Sequence, residues 1–251
     1  MTAVILFAAF AVSAQMYSVP KELNIEKVVE KNFPIYYGHE YPQLIAEKFF
    51  PIGWSRDGKF AYYVEPVDEA CGCYFAALVI QDLRTDKILW EFKYNQGKET
   101  DDEGNMPPED SIEKLWAKNQ KLFSQKLKEN GIQATSGLKL LGNKFANGGR
   151  SYTASVEKVF ANDDDGTPRI KKVSTFLSSS KLGKKNIYSE SFEPDLFAAP
   201  LNAAAVGALK SPFENRTAII LIVVRRGWEG PPHTADVRIV GADLLKGFGK
   251  K

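Results

Sequence analysis

Metal-ligating side chains are scarce in this sequence. Its 251 residues include two cysteines (Cys71 and Cys73), two histidines (His39 and His233) and three methionines. A structural zinc site takes about four cysteine or histidine ligands, commonly in two spaced pairs. Such a site would require every cysteine and histidine in the chain, so we expect no resident metal ion and no cofactor.

An excess of one charge is also missing. The chain has 33 Lys and Arg residues against 31 Asp and Glu residues, which gives a net charge of +2. Nucleic-acid-binding domains usually carry a clustered basic surface and a strongly basic composition. We therefore expect no nucleic-acid partner.

The common catalytic motifs are lacking as well. The sequence has no Gly-x-Ser-x-Gly nucleophile elbow. His39 begins a His-Glu-x-x-His pattern, but position 43 is glutamine, so the zinc-protease motif is incomplete. His233 lies near Glu229 and Asp236 in the sequence and could orient on either carboxylate. These residues are the polar candidates for a site, and no residue is predicted to be catalytic.

Apolar runs long enough to span a membrane are absent. Residues 1–14 carry no charge, and their apolar run from Ala3 to Val12 is about ten residues, whereas a membrane-spanning helix needs roughly 20. A run of this length followed by the small residues 12–14 is typical of a signal peptide, although no Lys or Arg lies near Met1. We predict a signal peptide over 1–14 and one β-rich domain over 15–251. The mature protein is then periplasmic or secreted, with no integral membrane segment.

Short apolar and aromatic runs between turn residues fill much of the remaining chain. They predict an antiparallel meander over about 49–95, with a turn at Asp57-Gly58, and a second strand set over about 151–245. In the second set, "TAIILIVV" (217–224) predicts a buried strand. The Ala-rich residues 194–211 predict a short helix.

One long amphipathic helix is predicted between the two strand sets, over about 109–130. Two prolines precede it and Gly131 follows it as a stop signal. Its apolar residues recur at three- and four-residue spacings and form one stripe: Ile112, Leu115, Trp116, Leu122, Phe123 and Leu127. The expected fold is therefore mainly β (α+β), with antiparallel meanders in a sheet or sandwich-like domain and this helix packed on a sheet.

The two cysteines flank a single glycine in "DEACGC" (68–73). Residues i and i+2 of a strand lie about 6.6 Å apart, close to the upper limit of about 6.8 Å for a disulfide, and a bend at Gly72 would shorten that distance. The chain-entropy gain of so small a loop is roughly 1.6 kcal/mol. A Cys71–Cys73 bridge would pin a hairpin corner or form a labile redox disulfide. A two-thiolate metal site also stays open.

A weak internal repeat links the two strand sets. "SRDGKFA" (55–61) precedes an apolar strand and then "LVIQDL", and "SPFENRTA" (211–218) precedes an apolar strand and then "VRIVGADL". In each stretch a serine, an acidic residue and a basic residue lead to an alanine at the start of a strand. The pattern indicates two related hairpins.

Three segments carry a family resemblance. "WSRDGKFAYYV" resembles the turn in single blades of β-propellers of the periplasmic TolB-like kind, and "SSSKLGKKNIY" and "RRGWEGPPHTADVRIVGADL" are similar to a family of predicted secreted bacterial proteins of unknown function. Together they cover roughly a third of the chain. The resemblance implies a β-rich exported domain and no activity. A complete propeller needs at least about four blades of roughly 40–50 residues, so two blade-like hairpins do not predict one.

Export without a catalytic motif favours a non-enzymatic extracytoplasmic module that binds a protein or cell-envelope partner. The alternative is a thiol–disulfide or metal-handling protein that acts through Cys71 and Cys73. A hydrolase built around His233 or His39 is the third hypothesis.

Overall fold

The computed structural model describes residues 17–38, 40–67, 72–99, 104–135, 137–164 and 166–249. Within these residues the chain forms α1 (Glu26–Asn32), β1 (Leu44–Ala46), β2 (Lys48–Trp54), β3 (Lys59–Glu65), β4 (Phe75–Asp82), β5 (Lys87–Asn95), α2 (Ile112–Glu129), β6 (Gln133–Ala134), β7 (Leu141–Gly142), β8 (Lys144–Asn147), β9 (Arg150–Asn162), β10 (Pro168–Ser179), β11 (Gly183–Ser191), β12 (Asn202–Lys210), β13 (Arg216–Arg225) and β14 (His233–Asp243). Short 3-10 turns lie at Pro34–Tyr36 and Gln96–Lys98.

These strands form three sheets that stack in layers. The central sheet has the order β1-β14-β13-β12-β7, the helix-side sheet β5-β4-β3-β2-β6, and the outer sheet β11-β10-β9-β8. One face of the central sheet packs on the helix-side sheet and the other on the outer sheet, while α2 covers the far face of the helix-side sheet. The predicted fold class is confirmed: the protein is mainly β, built of antiparallel meanders, and is not a closed propeller.

Strand β13 is buried on both faces. Every residue from Arg216 to Val224 is buried, and alternate side chains enter different cores: Ile220 and Ile222 face the helix-side sheet, whereas Ile219 and Leu221 face the outer sheet. A strand buried on both faces needs a continuous apolar run instead of an alternating one. That requirement explains "TAIILIVV" and confirms the predicted buried strand.

Helix α2 confirms the predicted amphipathic helix, with a later start. Ser111 is its N-cap, and the Ser111 hydroxyl accepts the Lys114 N–H, so the helix begins after Ser111 and not at 109. The Trp116 indole N–H donates to Tyr17 O at 3.2 Å, which ties the start of the described chain to the helix. Five of the six stripe residues are buried, but Leu122 is 37% exposed. Among the described residues, no helix combines the length and hydropathy that a membrane crossing requires.

The Ala-rich segment is a strand, so the helix predicted within 194–211 is wrong. Residues 202–210 form β12, which pairs with β13 along its length. Small side chains at Ala205 and Ala208 enter the core shared with the outer sheet. Gly207 lies directly against β7, since a Cβ there would be 2.7 Å from Leu141 O. Tertiary packing that requires small residues overrides the helix propensity of alanine here.

The internal repeat is visible as two meanders with matching hydrogen bonds. β2–β3–β4 and β12–β13–β14 are both antiparallel and sequential. At the first turn of each, a serine N–H donates across the turn, from Ser55 to Lys59 O at 2.9 Å and from Ser211 to Arg216 O at 2.9 Å.

The third strand of each meander ends in an equivalent way. Leu83 donates its N–H to Gly58 O at 3.0 Å, and Leu244 donates its N–H to Asn215 O at 2.8 Å. Each leucine therefore returns to the first turn of its own meander. The two units share a local structure that the short sequence similarity indicated.

The two meanders are joined at their turn ends by side chains that cross between sheets. Three bonds run between the β4–β5 hairpin and β13 or β14, and we name them the turn latch: Arg216 Nη1 to Leu83 O at 2.8 Å, Gln81 Nε2 to Ile239 O at 2.9 Å, and Gly241 N to Asp86 Oδ1 at 2.7 Å. The backbones approach so closely that a Cβ at position 241 would lie 2.0 Å from Leu83 O. Only glycine fits at that position without displacing the hairpin.

Glu47 joins the short strand β1 to the edge of the central sheet. Its N–H donates to Ala235 O at 3.1 Å, and its carboxyl Oε2 accepts the Val237 N–H at 2.7 Å. Burial, and to a lesser degree the nearby Asp236 carboxylate, raises the pKa of Glu47 to about 7. The fold therefore favours the protonated, neutral form of the Glu47 carboxyl.

The close approach at Gly241 predicts a packing defect on substitution. Gly241→Ala should lower the free energy of unfolding by about 1 to 3 kcal/mol, because the methyl group overlaps the Leu83 carbonyl. Gly142→Ala is the matched control, since its nearest neighbour would be Lys144 O at 3.7 Å. Urea denaturation measures both. Equal midpoints for the two variants would contradict the proposed contact.

The raised pKa of Glu47 predicts a pH-dependent stability. The pKa in the fold is about 7 against an ordinary value of 4.5, so the folded state binds the proton more tightly and its stability falls as the pH rises from about 4.5 to 7. Glu47→Gln stays neutral and should reduce this fall. It should not abolish the fall, because burial also raises the pKa of Asp86 to about 6. Denaturation midpoints at pH 5 and pH 7.5 give the comparison, and parallel losses in both proteins would rule out Glu47 as a source.

Candidate functional site

The cysteine corner lies at the entry to β4. Cys73 is 6% exposed, and Gly72 has a φ of +63°, the left-handed bend expected at this glycine. Cys71 lies outside the described residues, so the Cys71–Cys73 bridge stays a prediction. Reactive cysteines are usually partly exposed in an electropositive environment. The burial of Cys73 therefore favours the pinned corner over thiol exchange.

Hydrogen bonds hold this corner beside Cys73. The Tyr74 N–H donates to Gln96 Oε1 at 3.0 Å, and the Gln96 N–H donates back to Tyr74 O at 3.0 Å. The Tyr74 hydroxyl donates to Glu65 Oε1 at 2.8 Å and lies 2.7 Å from the Tyr63 hydroxyl. Burial, followed by these two partners, raises the pKa of Tyr74, so its phenol stays neutral and able to donate. The corner has non-covalent supports of its own.

His233 begins β14, and its ring orients the loop before it. Its Nδ1 accepts the backbone N–H of Gly227 at 3.2 Å, and its ring meets Tyr36 at a right angle with centroids 5.7 Å apart. In a hydrolase triad the corresponding Nδ1–H donates to a carboxylate, whereas this Nδ1 accepts. The contact favours a structural role for His233. His39, the other candidate, lies outside the described residues.

The two carboxylates near His233 in the sequence have separate environments. Asp236 Oδ2 accepts from Arg225 Nε at 2.8 Å, and Asp236 Oδ1 accepts from Thr234 Oγ1 at 3.2 Å. Arg225 also reaches Ala198 O at 3.4 Å, so the ion pair fastens the end of β13 to the segment before β12. Glu229 is exposed in the loop 226–232. Within the described part of the chain, no group of three or more His, Cys, Asp or Glu side chains could hold a metal ion.

Two large aromatic side chains lie exposed together beside this ion pair. Phe197 is 57% exposed and Trp228 is 74% exposed, with ring centroids 5.9 Å apart and planes inclined by 31°. Leu196, 36% exposed, precedes Phe197. We name Leu196, Phe197 and Trp228 the aromatic surface. The other three tryptophans are buried or half-buried.

Both loops that carry the aromatic surface are held by hydrogen bonds. Asp195 Oδ1 accepts the N–H groups of Phe197 and Ala198 at 2.9 and 2.7 Å. In the second loop the Gly230 N–H donates to Gly227 O at 3.1 Å, next to the contact from Gly227 to His233. The two rings therefore project from hydrogen-bonded turns at the end of the central sheet.

An acidic cavity of about 570 Å³ borders the aromatic surface. It is lined by Asp163, Asp164, Glu193, Pro194, Asp195 and Leu196. Asp163 pairs with Arg169 at 2.8 Å, and Asp195 is engaged with its own loop. We name Asp164 and Glu193 of this cavity and Glu229 of the neighbouring loop the acidic rim; Arg226, in the loop of Trp228, is a basic residue at the same end.

Sequence reasoning did not identify this surface. Phe197 lies in the segment 194–211 that predicted a short helix, and Trp228 belongs to a segment that carries only a family resemblance. The available signal was a tryptophan inside a Gly- and Pro-rich loop, "RRGWEGPP". Such loops lie on the surface, where a tryptophan has no core to occupy.

Comparison with known proteins identified no relative whose function could be compared with this surface. Neither a protein-family model, nor a curated protein, nor a solved structure matches the chain.

Proposed function

We propose that the protein is an exported, non-enzymatic module that binds a protein or cell-envelope partner on the aromatic surface. The observation that carries the proposal is the exposed pair of Phe197 and Trp228 on fastened loops. The apolar, uncharged residues 1–14 support export.

Aromatic side chains contribute strongly to binding when they become buried. Phe and Trp each bury about 150–250 Å², and tryptophan is enriched among the residues that dominate interface energies. Asp195 Oδ1 accepts two backbone N–H groups of its own loop, and the Gly230 N–H donates to Gly227 O in the other loop. Because both loops are already ordered, a partner would lose little free energy in ordering them. The pair is thus suited to a preformed contact.

The acidic rim indicates the chemistry of the partner. Asp164 and Glu193 line the cavity that Leu196 borders, and Glu229 follows Trp228 in its loop, whereas Arg169 and Arg225 are paired with Asp163 and Asp236. A partner segment with an apolar or aromatic side chain flanked by lysine or arginine would complement this surface. Attraction between the opposite charges would speed association and weaken with added salt.

A defined peptide tests the surface directly. A six-residue peptide that alternates lysine and phenylalanine should shift the indole N–H signal of Trp228 in a ¹⁵N NMR titration, while one that alternates glutamate and phenylalanine should not. Trp228→Ala, followed through backbone signals of 193–198, should weaken binding about tenfold or more. Leu245→Ala, which removes an apolar side chain 42% exposed at the other end of β14, is the control.

Two results would contradict the proposal. One is equal binding of the two peptides, which would show that the acidic rim does not select charge. The other is a Trp228→Ala variant that binds the lysine peptide as tightly as the wild type does. Replacing Cys71 and Cys73 with serine should leave the titration unchanged if the protein folds, since the cysteine corner is not part of the aromatic surface.

A further inference from the structure

Strand β5 is a long unpaired edge of the helix-side sheet. It has nine residues, and among the described strands it pairs with β4 alone. The edge strands β1, β6, β7 and β8 have two to four residues each. A long edge presents a row of free backbone N–H and C=O groups, which natural proteins usually cover, shorten or pair.

Large apolar side chains are exposed or half-buried along this edge. Ile88 is 55% exposed and Leu89 is 45% exposed. Trp90 and Phe92 are half-buried against Phe123 of α2, with centroids 6.5 and 5.0 Å from its ring. The other nine-residue edge, β11, also has two lysines, but it contains two serines where β5 has none, and it has no large apolar side chain that is exposed. The apolar edge is therefore specific to β5.

A register shift in the β4–β5 pairing divides the edge into two parts. Ile80 pairs with Trp90 and Gln81 pairs with Ile88, which leaves Leu89 as an extra residue on β5. From Trp90 to Asn95 the pairing is regular. Trp90, Phe92 and Tyr94 point toward α2 and Glu91 and Lys93 toward the opposite face, as the two-residue period of a strand requires.

We propose that two copies of this chain pair through β5, antiparallel, with Phe92 on the two-fold axis. In this register Glu91 lies opposite Lys93 of the second copy, and the symmetry repeats the pair. On the other face Trp90 lies opposite Tyr94 of the second copy, and the two Phe92 side chains meet. Opposite charges and aromatic pairs stabilise cross-strand neighbours, and the two helix-side sheets become one ten-stranded sheet.

The charges select this register over its neighbour. Moving the axis to Glu91 places Glu91 opposite itself and Lys93 opposite Leu89, and like charges directly opposite each other are destabilising. Within one chain Glu91 and Lys93 lie 3.0 Å apart on the same face. The strand therefore carries both halves of a charge pattern that is complementary to itself.

Sedimentation equilibrium of the full chain with charge reversals tests the pairing. The wild type should be dimeric near 100 µM and dissociate on dilution. Glu91→Lys places Lys opposite Lys93, and Lys93→Glu places Glu opposite Glu91, so each should raise the dissociation constant at least about tenfold. The double reversal restores both opposite pairs and should restore the dimer. Reversal of Glu157 and Lys184, an exposed ion pair of the outer sheet, is the control.

Each outcome bears on the proposal. A monomeric wild type, single reversals that remain dimeric, or a double reversal that stays monomeric would overturn it. Circular dichroism and urea midpoints must first show that the variants are folded. If a single reversal does not fold, Leu89→Lys adds a charge at an exposed edge position and should give a folded monomer. A folded dimer of that variant would also overturn the proposal.

Discussion

The burial of β13 on both faces is the constraint on which the rest of the structure depends. Its side chains belong alternately to the core with the helix-side sheet and to the core with the outer sheet. Its buried polar side chains also form hydrogen bonds within the protein: Thr217 Oγ1 donates to Leu209 O at 2.9 Å, and Arg216 Nη1 donates to Leu83 O at 2.8 Å. A change in β13 therefore reaches two cores at once, and the three sheets act as one body.

The same strand connects the fold to the proposed binding surface. At its start, Arg216 belongs to the turn latch between the two meanders. At its end, Arg225 pairs with Asp236 and holds the segment before β12, and the chain continues directly into the loop of Trp228. A loop that leaves a doubly buried strand has a rigid support, and binding residues are commonly presented on loops of this kind. Trp228 and Phe197 thus lie where two fastened loops meet at the end of the central sheet.

Local patterns in the sequence were sufficient for much of the fold. The Asp57-Gly58 turn, the run at 217–224 and the stripe of α2 each specify their element through neighbours in the chain. Long-range pairing was not accessible in this way. The contact of Phe197 with Trp228 depends on how β12 and β13 are arranged, and the strand at 202–210 depends on the small side chains that the outer sheet requires. The parallel pairing of β1 with β14 likewise joins residues 189 positions apart, such as Leu44 and His233.

Native-state hydrogen exchange tests the central role of β13 most directly. If β13 joins both cores, its backbone amides from Ile219 to Val223 should exchange only through global unfolding. The free energy of opening measured at these amides should then equal the free energy of unfolding measured by urea denaturation. Both free energies should decrease with the same slope as denaturant is added. Exchange of these amides through a smaller opening, while the amides of β3 remain protected, would contradict this role.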